Sequence, residues 1–125
     1  MAGRVVHFEL PYEDADRAGK FYTDLFGWQL MPMPDMDYTI VMTGPTDQES
    51  GPTESGFING GMFNRSDPGR GTNVVIDVDD IEATLAAVEQ AGGKTQMAKQ
   101  AVGDMGFTAY FTDTEGNIVG LWQNA

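Results

Sequence analysis

The side chains that could do chemistry are few, and the foremost two lie close together. His7 is the only histidine in 125 residues, and Glu9 follows two positions later. An imidazole titrating near neutral pH can take a proton from a bound molecule, and a neighbouring carboxylate can orient it or raise its basicity. The chain has no cysteine. Thiolate nucleophiles, thiolate metal sites and disulfides are therefore excluded together.

A strand must carry this pair. Val5-Val6-His7-Phe8-Glu9-Leu10 alternates, so Val6, Phe8 and Leu10 form an apolar face and His7 and Glu9 share the other. Pro11 is expected to end the strand. Asp14 reads as a helix N-cap, Ala15, Ala18, Tyr22, Leu25 and Phe26 as one helical stripe, and Gly27 as the stop. The chain then repeats itself. His7, Asp14 and Gly27 recur as Asn73, Asp80 and Gly93, each 66 residues on. The second copy opens with Asn73-Val74-Val75-Ile76-Asp77-Val78, capped by Asp79 or Asp80. A spacing held through strand, cap and stop marks a duplicated unit.

Each copy goes on to three further strands. In the first these are Trp28 to Met31, broken by Pro32 and Pro34, then Tyr38 to Met42 and Phe57 to Phe63 with the pair Gly60-Gly61. In the second they are Lys94 to Lys99, Gly106 to Thr112 and Ile118 to Gln123. Asp113 to Asn117 reads as a hairpin turn. Thr43 to Gly56 reads as a long polar loop, either a lid or a solvated, disordered excursion. Arg65 to Gly71 reads as a linker. The predicted class is α+β: two tandem βαβββ modules, 4–64 and 71–123, in one domain spanning 1–125. Their curved mixed sheets would wrap a central cleft, within one chain or across a dimer.

Composition narrows the partners. With 19 acidic and 7 basic residues the net charge is −12, which repels nucleic acid and anionic lipid; neither is expected as a partner. No run reaches the ~18 apolar residues of a membrane span and no apolar signal core opens the chain, so a cytoplasmic location is expected.

With these elements in place, the chain resembles the vicinal oxygen chelate superfamily of glyoxalases, bleomycin-resistance proteins and dioxygenases. The resemblance spans essentially the whole chain. It rests on His7, on Ala18-Gly19-Lys20-Phe21-Tyr22 with Leu25-Phe26-Gly27-Trp28, on Val78-Asp79-Asp80-Ile81, on Ala91-Gly92-Gly93-Lys94 and on Asp113-Thr114-Glu115-Gly116-Asn117. It implies the glyoxalase/bleomycin resistance fold and a homodimer. Metal-dependent members take their ligands from the first and fourth strands of each module. Carried over, His7 fills the first position and Asn73 the third. The fourth strands offer Gly60 or Gly61, with Asn59 the nearest polar side chain, and Gly120. One imidazole and one amide make a poor divalent-metal site, so no cofactor is expected.

The cleft that the resemblance implies would be lined by Asn59, Gly60, Asn73, Phe107, Gly120 and Trp122, with Trp28 and Tyr110 as further aromatic candidates. The alternative for each aromatic is plain core packing. Two functions stand open for a small-molecule ligand. One is a binding protein with a degenerate metal site that sequesters an aromatic or amphipathic compound. The other is a glyoxalase-related lyase or isomerase with His7 and Glu9 catalytic. A vestigial interaction module is the third.

Overall fold

The computed structural model describes residues 3–65 and 71–125; most of the expected linker, 66–70, lies outside the described residues. The chain divides into two compact units, His7–Thr72 and Asn73–Ala125, the latter joined by the chain's start up to Val6.

The first unit contains β1 (Arg4–Tyr12) from His7 onward, α1 (Ala15–Phe26), β2 (Gln29–Met33), β3 (Tyr38–Met42), β4 (Thr46–Asp47), β5 (Gly51–Pro52) and β6 (Asn59–Asn64). Its main strands run in the order β2-β3-β6-β1. β6 is parallel to β1 and antiparallel to β3. The Asp14 carboxylate accepts from the Arg17 amide at 3.0 Å and starts α1. Gly27, at φ 69°, ends it in the left-handed conformation. Ala18 and Tyr22 of the helix cover Phe8, Leu10, Tyr12, Val41 and Met62. Trp28 stacks flat on Tyr22, with ring centroids 4.7 Å apart, and closes that end of the cluster. Leu25 and Phe26, expected in the buried stripe, stay more than 60% exposed. Trp28 belongs to this helix-side core rather than to the face that bears His7.

Two prolines do not stop their strands. β1 continues through Pro11 to Tyr12, paired with Phe63 and Asn64. The Tyr12 carbonyl accepts from Arg65 N–H, so backbone groups at Tyr12 point to β6 and those at Pro11 point away, where the missing N–H costs that ladder nothing. β2 runs through Pro32 to Met33 as the outermost strand of this unit, where proline is tolerated. The expected loop at 43–56 is also built. β4 and β5 pair as a miniature hairpin, and Asp47 accepts from the amides of Glu49 and Ser50. A disordered excursion is thereby corrected to an ordered turn structure.

The second unit contains β7 (Asn73–Asp77), α2 (Ile81–Gln90), β8 (Lys94–Val102), β9 (Gly106–Thr112) and β10 (Ile118–Asn124), in the order β7-β10-β9-β8. Asp80, not Asp79, caps α2 through the Ala83 amide. Gln123 adds a second cap from β10, its Oε1 accepting from Ile81 N–H at 2.8 Å. Val78, Ile81, Leu85, Ala109 and Leu121 form the core, with Ile76, Phe107 and Phe111 against it.

Candidate functional site

In the first unit, β1 presents His7 and Glu9 on the face turned away from α1. Register decides what joins them. His7 lies opposite Asn59 and Glu9 opposite Gly61, while on the other side of β6 Tyr38 lies opposite Phe63. Asn59, Gly61 and Phe63 therefore share the face of His7 and Glu9, and Tyr38 enters it from β3.

The three polar side chains form a hydrogen-bonded row. Tyr38 Oη stands 2.7 Å from His7 Nε2 and donates to Glu9 Oε2 at 2.9 Å. The phenol crosses β6 to do this, and it can because Gly61 has no side chain: a Cβ there would overlap the Tyr38 hydroxyl. The turn before β3 sets the approach. Asp37 adopts φ 48°, and its carboxylate accepts from Tyr12 Oη at 3.3 Å, which ties the start of β3 to the end of β1.

Glu9 is only 4% exposed, and the hydroxyl gives its buried carboxylate a donor. Burial lowers the His7 pKa from its ordinary value, opposed by the attraction of Glu9. The imidazole is therefore neutral at neutral pH, the state in which it can accept a proton.

The other expected site residues are distributed less simply. Asn59 shares the His7 face, but its amide secures the hairpin: Oδ1 accepts from Thr43 N–H at 3.0 Å and Nδ2 donates to Thr46 Oγ1 at 2.9 Å. Gly60 does not face His7. It lies on the helix side against Phe8, and Gly61 is the residue on the polar face. Asn73, on β7, is 5% exposed, and neither polar atom of its side-chain amide has a hydrogen-bond partner among the described residues. Gly120 is packed under Val75 and Tyr110, its cross-strand neighbour. Trp122 shares the face of Gly120, but its ring lies over Gly106 and its N–H is taken by Asn124 at 2.9 Å. Phe107 is on the opposite face, packed on the helix-side core with Lys99 Nζ 4.4 Å from its ring centre. Strand alternation explains the correction: Phe107 and Tyr110 cannot line the same face.

A cleft of about 540 Å³ in the first unit, between Gly27 at the end of α1 and Thr43–Asp47, is lined by none of the three residues of this row. Its one carboxylate, Asp47, is engaged by backbone amides, so it offers no acid–base pair.

The N-terminal part of the chain, residues 4–44, matches a family model described as bleomycin resistance protein-like N-terminal. Over 98% of its length the chain is 33% identical to the "Probable lactoylglutathione lyase" of Vibrio parahaemolyticus, covering 91% of that protein. The chain belongs to the vicinal oxygen chelate superfamily. Similarity to the lactoylglutathione lyase of Haemophilus influenzae, 30% identical across 97% of this chain and 93% of that one, agrees with this placement. So does the fold of a glyoxalase/bleomycin resistance protein/dioxygenase superfamily member from Vibrio splendidus 12B01, which matches with a TM-score of 0.64 at 18% identity over 99% of this chain and 100% of that one. The fold is accordingly that of the glyoxalases and bleomycin-resistance proteins.

Within the vicinal oxygen chelate superfamily, metal-dependent members hold a divalent cation, and the donors here do not fit one. His7 Nε2 is committed to Tyr38. Gly61 and Gly120 provide no side-chain donor, and each is overlaid by a tyrosine from the third strand of its own unit. Among the described residues no three His, Cys, Asp or Glu side chains gather as ligands would. No helix among them is long and apolar enough to cross a membrane.

Proposed function

We propose that this protein is a metal-independent member of its superfamily that binds a small organic molecule beside His7 and moves a proton on it, in lyase or isomerase chemistry. The row His7–Tyr38–Glu9 carries this reading. A site made only to sequester an apolar compound gains nothing from a buried carboxylate linked to an imidazole, and burying that charge is costly. A neutral imidazole backed by a carboxylate has the composition of a general base. His7 would take the proton, and Glu9, through Tyr38, would favour the charge that His7 then acquires. Relatives named for lactoylglutathione supply the first compound to test.

Sequestration without turnover is the second reading. The glycines at both fourth-strand positions favour it, since they supply no reacting group.

The test uses chelator-treated protein with S-lactoylglutathione in deuterated water. Binding is followed by thermal shift and exchange at the lactoyl carbon by NMR. The enzymatic reading expects stabilisation together with exchange that His7→Ala abolishes. Stabilisation without exchange in the intact protein supports sequestration. Exchange unaffected by His7→Ala, or strictly dependent on added metal, overturns the proposal.

A further inference from the structure

We infer that Tyr38 is a positioning residue which fixes His7 as the Nε2–H tautomer and leaves Nδ1 as the nitrogen that works on a bound molecule. The inference rests on the reading of His7 as a base, and it names the atom and the residue that selects it.

A phenol has one proton to donate. Tyr38 Oη is within hydrogen-bond distance of both Glu9 Oε2 and His7 Nε2. An ionised carboxylate only accepts, so the phenol proton lies toward Glu9, and the bond between His7 and Tyr38 must be donated by Nε2–H. The neutral ring then carries its lone pair on Nδ1. Among the described residues Nδ1 has no hydrogen-bond partner.

The opposite tautomer would leave Nε2 accepting from Tyr38 and would take the phenol proton away from the buried Glu9 carboxylate, which can only accept. The row also explains the glycine at position 61. A carboxylate on the fourth strand would place an acceptor near His7, whereas Gly61 admits a hydroxyl that passes the influence of Glu9 along.

The proton step balances within these groups. A C–H bond of the substrate breaks, its electron pair stays on the substrate and delocalises into an adjacent carbonyl, and a new N–H bond forms at Nδ1. The imidazolium so formed keeps Nε2–H on Tyr38 Oη, with the Glu9 charge one hydrogen bond further. Return of the Nδ1 proton to the substrate restores the neutral ring, and neither oxidant nor reductant is involved.

Because His7 is the only histidine, nitrogen-15 NMR of histidine-labelled protein reads the tautomer directly, in the absence of any ligand. Above the His7 titration the expected result is a protonated Nε2 and an unprotonated Nδ1. Tyr38→Phe, which keeps the ring, should shift the population toward a mixture, and so should Glu9→Gln. A protonated Nδ1 with a bare Nε2 in the wild type overturns the inference. So does a tautomer ratio unchanged in Glu9→Gln and in folded Tyr38→Phe. These outcomes are independent of turnover, so failure here is distinguishable from failure of the general-base reading.

Discussion

The hydroxyl of Tyr38, a residue of β3, occupies space that a Cβ on Gly61 of β6 would fill, and so reaches the His7 and Glu9 side chains of β1 that it connects. Gly61→Ala should therefore push the phenol off the row. The displaced atom is the far end of a side chain, so the protein should still fold, losing on the order of 1–3 kcal/mol as Glu9 loses a donor. Gly60→Ala meets the Phe8 carbonyl oxygen instead, which cannot swing aside, and should cost more. Urea unfolding of both variants orders them. A Gly61→Ala protein with wild-type stability and an unaltered His7 NMR signal would contradict this packing.

Stability should depend on pH through His7. Burial holds the folded imidazole below its ordinary value of 6.5. Between 6.5 and the lower folded value the unfolded chain binds a proton that the folded chain does not, so stability rises with pH across that window. It is complete above pH 6.5 and falls as pH drops toward the folded value. Denaturation at a series of pH values should show this slope in the wild type and a flatter one in His7→Asn. Equal slopes would mean that His7 is not its source.

Glu9→Gln changes the same titration in a stated direction. Glu9 is the influence that raises the His7 pKa against burial, so removing its charge should lower the value further. A proton NMR titration of the single histidine measures it. An upward shift would contradict the electrostatic account.

Asn59 holds the β4–β5 hairpin through Thr43 and Thr46. Asn59→Ala should remove both bonds and weaken local protection of residues 43–53 by about 1–3 kcal/mol, leaving α1 and β1 protected as before. Hydrogen exchange resolved by residue checks this. Unchanged exchange in the hairpin would show that its own pairing suffices.

Much of this was legible in the chain, and the reasons differ by element. The helix caps Asp14 and Asp80 and the stop at Gly27 are local chemistry and fell where their residue types indicate. His7 and Glu9 share a face because strand alternation has a fixed period. Tyr38 was not legible as a site residue, because its role depends on the register of three strands and a one-residue slip exchanges Gly60 for Gly61. A usable signal was present: a tyrosine on the third strand meets a glycine on the fourth in both units, Tyr38 with Gly61 and Tyr110 with Gly120. The face of Phe107 is not legible in the sequence because β9 carries aromatic residues of both parities, Phe107 and Phe111 on one face and Tyr110 on the other. Pro11 looks like a strand end in the sequence because the side to which its backbone points follows from pairing.

A hydrogen-bonded row, rather than a divalent cation, is proposed to work at His7. Calorimetric titration of zinc, nickel and manganese into chelator-treated protein tests it most directly, with His7→Ala as the control for loose binding to a chain of net charge −12. The predicted result is the same weak, non-stoichiometric heat for both proteins. One-to-one binding that His7→Ala abolishes would contradict the claim.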